Sequence, residues 1–432
     1  MCAQILSTQP YKGTRDFYPD DMRLRNWFFG KIRQTLERAA YEEYNGPMLE
    51  SLDIYIAKSG EEIANKQTYN FADRGGRMVA IRPEMTPSVA RIVAAKMGEL
   101  NFPLKWFSIP NMYRYERPQH GRLREFWQLN VDIFGCDTYE ADLDVIESAI
   151  SLLLAFGADE TMFRVHINNR RFFNDVIAAI CKSDAEHARL VSKVIDRKDK
   201  VERESYEKDL RELGLCDAQI AQIDGLYTMD VKSATTLCPD SLGSQELVSL
   251  FEMLEKTGLD KYCVFDFGII RGLDYYTGTV FEVFDEAPEN NRAMFGGGRY
   301  DNLVGMFQKN AKISGVGYGM GDVTLESFLL THKLVPDLNK GETKVLVTRF
   351  DDVPYEKYLE LINDLRKLGV TASIYVGTKK FGKQIDYAVK GHYSHVVIMG
   401  ASELEGGIVK IKDLESREES EVAISALSEY FN

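Results

Sequence analysis

Residues 114–128, R-Y-E-R-P-Q-H-G-R-L-R-E-F-W-Q, carry Arg114, Arg117, Arg122 and Arg124, with Pro118 and Gly121 between them. Apolar, alternating runs flank the stretch, Leu104–Ile109 before it and Leu129–Phe134 after it. Alternation is the period of a strand, and Pro and Gly punctuate a turn, so the segment reads as strand, long turn, strand. A guanidinium is planar, always charged and able to make paired hydrogen bonds. Arginines on a hairpin at a sheet edge therefore suit polyphosphate recognition. A solvated hairpin with ordinary surface charge is the plainer reading of the same residues.

The rest of the chain is organised around that hairpin. At 432 residues, two or three domains are expected. No run of eighteen apolar residues occurs, so no membrane span is expected. The first ten residues lack a basic stretch followed by an apolar core, so no secretory signal is read there. Six scattered cysteines without a C-x-x-C pair speak against a zinc site or a disulfide framework and suit a reducing cytoplasm. Met22 to Tyr44 has helical spacing, and Pro47 opens an extended segment. Tyr69–Ile81 reads as a hairpin turning at 74–76. Helices follow over Thr86–Met97 and Tyr139–Phe156, the latter with Glu140, Asp142 and Asp144 early, where the helix dipole favours acids. Val165–Asn168 is a short strand. Residues 172 to about 259 are charged, helical in period and poor in strand signals, as an insertion would be. Tyr262–Phe267, Thr277–Phe284 and Gly315–Tyr318 return to strand. Val335–Gly341 is the best linker. After it, strands and helices alternate, which predicts a small α/β domain on a mostly parallel sheet. The chain thus divides into residues 1–334 and 342–432.

Several side-chain groupings could carry chemistry. Glu84 and Thr86 meet where a strand passes into a helix; together they either hold an ammonium group or cap the helix. Gln128 and Asp132 lie four apart on a strand and share one face, lining either a pocket or a solvent-facing side. Arg271 precedes Tyr275 and Tyr276; buried tyrosine hydroxyls need partners, and a fixed cation beside them can stabilise developing negative charge. Gly296–Gly298 suits either close approach to a ligand or a strand bulge. The net charge of −13 repels nucleic acid overall, so an RNA partner would dock on local basic patches. Lys379, Lys380, Lys383 and Lys390 form one such cluster.

The hairpin resembles motif 2 of class II aminoacyl-tRNA synthetases, and R-Y-E-R-P-Q is similar to the histidyl-tRNA synthetase family in particular. R-G-L-D-Y-Y-T-G-T-V-F-E (Arg271–Glu282) and G-G-G-R-Y-D (Gly296–Asp301) resemble the two histidine-specific peptides of that family, with I-R-P-E-M-T (Ile81–Thr86) upstream. The likeness runs from Gly13 to the C-terminus. It implies an α+β class II catalytic domain, an antiparallel sheet with helices and a helical insertion, followed by an α/β anticodon-binding domain. The implied reaction activates L-histidine with ATP and transfers it to the 3′ end of tRNA-His. By resemblance Glu84 and Thr86 hold the α-amino group. Asp132 meets the imidazole, Gln128 reaches the amino-acid backbone, and Tyr275, Tyr276 and Tyr300 surround the ring. Arg114 and Arg271 would carry the charge on the α-phosphate. Glu116 would contact adenine, with Arg122 and Arg124 candidates for the outer phosphates and Arg299 a weaker one. Mg²⁺ would bridge those phosphates, with no metal site of the protein's own. Gln119, Lys379 and Lys383 would touch tRNA. Helix then strand near the N-terminus resembles motif 1, which implies a homodimer, and the setting is cytoplasmic. One departure stands out: where family members carry a motif 3 arginine, this chain has Thr324. That points to an alternative, a histidine-binding paralogue resembling the regulatory subunit of ATP phosphoribosyltransferase, against which stand Arg114, Arg271 and a C-terminal domain that such a regulator lacks.

Overall fold

The computed structural model describes residues 6–56, 67–119, 121–182, 185–195, 197–198, 201–270, 276–290, 292–309, 311–338 and 343–431. They divide into two compact units, Met1–Pro336 and Asp337–Asn432. In chain order the first unit contains β1 (Glu42–Glu43), β2 (Leu49–Ser51), β3 (Tyr69–Ala72), β4 (Met78–Ile81), β5 (Leu104–Ser108) and β6 (Asn111–Tyr113). It continues with β7 (Glu125–Phe134), β8 (Phe163–Asn169), β9 (Cys263–Phe265), β10 (Thr279–Asp285), β11 (Ala293–Arg299) and β12 (Gly315–Gly321). The main sheet runs β1-β5-β7-β12-β11-β10-β8-β9, with β6 paired to the start of β7. Its interior pairings are antiparallel, and only the two outermost, β1 with β5 and β8 with β9, are parallel. A second sheet, β2-β4-β3, carries the expected hairpin.

Period 2 along β7 decides the two faces. Leu129, Val131 and Ile133 point into the main core with Phe28, Ile32 and Leu36 of the helix Pro19–Arg38 and Val145, Ile146 and Ile150 of the helix Tyr139–Ala155. Phe126, Gln128, Asn130, Asp132 and Phe134 fall on the other face. In β12, Val316, Tyr318 and Met320 join the core, and the intervening glycines lie opposite. The run Gly296–Gly298 lies in regular register against β12, Gly296 opposite Gly319 and Gly298 opposite Gly317. The irregularity of β11 pairing is elsewhere, at Val283/Phe284. The triple glycine is therefore close-packed strand rather than a bulge: a Cβ on Gly297 would collide with the carbonyl of Gly317.

Long-range contacts add to two readings of local sequence. The expected insertion is helical, with helices including Arg170–Cys181, Arg203–Glu212, Asp217–Leu226 and Leu242–Thr257. Its helices pack directly on the main sheet. Phe172, Phe173, Ile223, Leu247 and Leu250 belong to the same apolar core as the sheet. Asp142 sits in the first turn of its helix, as the dipole favours, but its carboxylate is buried and bound by Arg299 at 2.8 Å.

The second unit is a sheet ordered β14-β13-β15-β16-β17, with β13 (Lys344–Val347), β14 (Thr371–Ile374), β15 (His395–Ile398), β16 (Ile408–Asp413) and β17 (Glu419–Ala423). Only β14-β13-β15 is parallel; β16 and β17 run antiparallel, so the sheet is mixed rather than mostly parallel. Helices Tyr355–Lys367 and Phe381–Lys390 make the crossovers. Strand β17 escaped the sequence reading because its E-S-E-V-A is half-exposed, with little apolar signal. Among the described residues no helix is long and apolar enough to cross a membrane.

Candidate active site

The polar face of β7 looks onto a floor without side chains. A Cβ on Gly317 would collide with Asp132, one on Gly319 with the Gln128 amide, and one on Gly315 with the Tyr300 ring. Glycine at these positions lets the side chains of β7 and Tyr300 lie flat across the neighbouring strands. Asp132 is 3% exposed. Its Oδ1 accepts the Tyr300 hydroxyl, and its Oδ2 is buried without a hydrogen-bond partner among the described residues. Burial pushes the carboxyl up to about 7, against the downward pull of the tyrosine bond. A buried carboxylate oxygen in want of a donor fits a ligand N–H. Tyr44 stands beside Asp132 and Ser108, its hydroxyl pushed well up by burial. Sequence reading missed it, because a tyrosine just after the two-residue strand β1 gives no local sign of where its ring goes.

Glu84 is also buried, at 4% exposed, directly before the helix Thr86–Lys96. The N-cap position falls on Met85, not on Glu84 or Thr86. Val89, Ala90 and Val93 of that helix pack with Phe134, Tyr276 and Tyr300, which brings the start of the helix to the β7 face. Arg114 donates from Nε to the carbonyl of Pro83 at 2.9 Å and lies 5.4 Å from the ring of Phe126. The arginine hairpin is thereby tied to the residue next to Glu84. Tyr276 is buried, its ring 2.9 Å from where a Cβ on Gly298 would stand.

The hairpin loop is itself held. Arg124 donates to the carbonyl of Glu116 at 3.0 Å and to the Tyr11 hydroxyl at 2.8 Å, and it sits over the Tyr115 ring. Gln119 and Arg122 bridge across the loop. The side chain of Arg122 is 61% exposed, with Glu116 3.9 Å away. A Cβ on Gly121 would lie 3.7 Å from Thr324, so the loop tip rests on the position where the arginine was expected. Thr324 donates to the carbonyl of Met294 at 2.9 Å. Arg299 is not available to a ligand: it is 2% exposed and spends its guanidinium on Asp142, Cys136, Thr138 and Ser314. Arg124 is likewise committed, which leaves Arg122 with the most reach. Arg271 and Tyr275 lie outside the described residues. In the second unit Lys379 is exposed, and Lys383 pairs with Asp386 at 2.9 Å. Buried Gln384 clamps the backbone of Arg349 and Lys379.

Together these groups form one face with a buried acid–tyrosine pair, a second buried acid at a helix start, and an arginine hairpin along the edge. Such a face can hold a cationic or N–H-bearing small molecule beside a phosphate-bearing one.

The family model described as histidyl-tRNA synthetase matches residues 13–322, and that described as anticodon binding domain matches residues 343–432. The chain is 44% identical to the histidine–tRNA ligase of Leptospira biflexa over 96% of this chain and 95% of that one. It is 35% identical to that of Haloarcula marismortui, with the same shares of each chain covered. Among solved structures it is similar to histidyl-tRNA synthetase from Nostoc sp. PCC 7120, with a TM-score of 0.82 at 25% identity over 99% of both chains. It also shares the fold of an ATP phosphoribosyltransferase regulatory subunit/histidyl-tRNA synthetase from Bacillus halodurans, with a TM-score of 0.75 at 22% identity over 92% of this chain and 100% of that one.

Proposed function

This chain belongs to the histidyl-tRNA synthetase family, and we propose that it ligates histidine to tRNA-His on the β7 face. The observation that carries the reading is the buried Asp132–Tyr300 pair over the glycine floor, with an Asp132 oxygen in want of a donor. An imidazole N–H supplies that donor. Glu84 and Thr86 take the α-ammonium, Gln128 the amino-acid backbone, and Tyr275 and Tyr276 the flanks of the ring. The histidine carboxylate attacks the α-phosphorus of ATP in line, and pyrophosphate leaves. A 3′-terminal ribose hydroxyl of tRNA then attacks the acyl carbon, and AMP leaves.

Catalysis here is positioning and charge stabilisation. Arg114 holds charge on the α-phosphate from its anchor on Pro83, with Arg271 as its counterpart. Phe126 offers a ring to adenine, Glu116 a carboxylate, and Arg122 a cation to the outer phosphates. Mg²⁺ enters with the triphosphate; among the described residues no cluster of His, Cys, Asp and Glu stands ready for a metal. Lys379 and Lys383 with Gln119 serve tRNA. A cytoplasmic homodimer goes with this reading. Exposed Leu49 and Phe71, which share one face of the small β2-β4-β3 sheet, support the dimer. Sedimentation that returns a monomer would remove the dimer.

Thr324 favours the regulatory paralogue; the anticodon-binding match over residues 343–432 favours the ligase. Histidine-dependent exchange of pyrophosphate into ATP, followed by charging of tRNA-His, decides between them. Histidine binding without exchange would make the regulator the better reading.

A further inference from the structure

Tyr300 is flanked by two charged residues, and both are fully engaged. Arg299 on one side is locked to Asp142. Asp301 on the other receives bonds from three separate segments. The Thr277 hydroxyl donates to its Oδ2 at 2.7 Å, and the Ser314 hydroxyl lies 2.8 Å from its Oδ1. Arg171 donates from Nη2 to its Oδ2 at 2.9 Å. Arg171 in turn pairs with Glu246, on the last helix of the insertion. The backbone closes the same knot: Tyr300 and Gly315 exchange bonds at 2.7 and 3.2 Å, and Thr277 donates to the carbonyl of Arg299 at 2.7 Å.

The consequence concerns the Tyr300 ring. Its hydroxyl reaches Asp132 only while residue 300 keeps its place between β10 and β12, and a single carboxylate ties together the segments that define that place. The ring is buried and edge-on to Phe134, so its place is set by the backbone from which it projects. Three bonds on the next residue fix that backbone before any ligand arrives, which is how a binding site avoids an ordering cost. We infer that Asp301 is a positioning residue for histidine, acting through Tyr300, and that the Arg171–Glu246 pair extends this control to the helical insertion. The inference rests on Tyr300 belonging to the histidine pocket.

The test is pyrophosphate exchange by the full-length Asp301→Asn, Tyr300→Phe and double variants. Asp301→Asn is expected to raise the histidine KM about tenfold, the scale of one lost charge-assisted bond, with the ATP KM changed by less than about twofold. Because both act through one ring, the double variant should be little worse than Tyr300→Phe alone. Additive losses, or equal rises in both KM values, would overturn the inference. A silent Tyr300→Phe would overturn the pocket reading with it, whereas a damaging Tyr300→Phe beside a silent Asp301→Asn overturns the inference alone. Should Asp301→Asn fail to fold, Ser314→Ala removes one tether and must still raise the histidine KM selectively. Arg171→Ala tests the insertion leg: a silent variant would sever it.

Discussion

At the scale of single residues, Asp132 makes the most direct prediction. Burial lifts its carboxyl from 3.8 to about 7. Its folded value exceeds its unfolded one, so its contribution to stability is fully present below about pH 4 and lost as pH rises to about 7. Asp132→Asn should remove that slope. In thermal unfolding, the variant should gain on the parent chain as pH climbs through this window; a constant gap would contradict it. Function runs the opposite way. In the proposed role Asp132 accepts an imidazole N–H most strongly when ionised, so the histidine KM should rise as pH falls below about 7. The free imidazole titrates nearby, and Asp132→Asn separates the two effects, since only the ligand's share survives in it. Arg122 carries a second prediction. With Arg299 and Arg124 already committed and the loop tip on Thr324, Arg122→Ala should raise the ATP KM about tenfold, the loss of one charge-assisted contact, before the histidine KM moves. Exchange kinetics with unchanged ATP use would show that the missing motif 3 arginine is compensated elsewhere.

At the scale of elements, β11 and β12 separate folding from function by where a methyl group would land. On Gly319 it meets the end of the flexible Gln128 side chain, which can move. Gly319→Ala should therefore melt within a few degrees of the parent chain, a cost of about 1 kcal/mol, yet bind histidine poorly. On Gly297 the methyl meets backbone, the carbonyl of Gly317. Gly297→Ala should cost about 3 kcal/mol or prevent folding. Thermal melts paired with exchange assays distinguish the two, and an unchanged histidine KM in Gly319→Ala would show that the floor is not what sets the Gln128 position. The sequence reads as strand over Gly315–Tyr318, but not with a bare side that faces Asp132 and Gln128; that follows only from the pairing of β12 with β7.

At the scale of the whole molecule, each unit holds apolar cores of its own; those of the second draw only on residues between Val345 and Phe431. A chain ending after Pro336 should fold and retain pyrophosphate exchange. Its charging of tRNA-His should fall at least about thirtyfold, the scale of about 2 kcal/mol of lost recognition. Undiminished charging would free residues 343–432 from the anticodon role. In the sequence the break is drawn at the linker Val335–Gly341, after which strands and helices alternate. The strand–loop–strand of the arginine hairpin, the shared face of Gln128 and Asp132 and the glycine-rich strands were legible because they are matters of spacing within a few residues. Spacing could not show that Tyr300 bonds to Asp132, or that Arg299 is consumed by Asp142 and so lost to the nucleotide. Nor could it place Asp301 at a junction with Thr277, Ser314 and Arg171. Those partners are brought together by strand order and register across distances of up to 168 positions, and no local pattern encodes which distant side chain a buried charge will find.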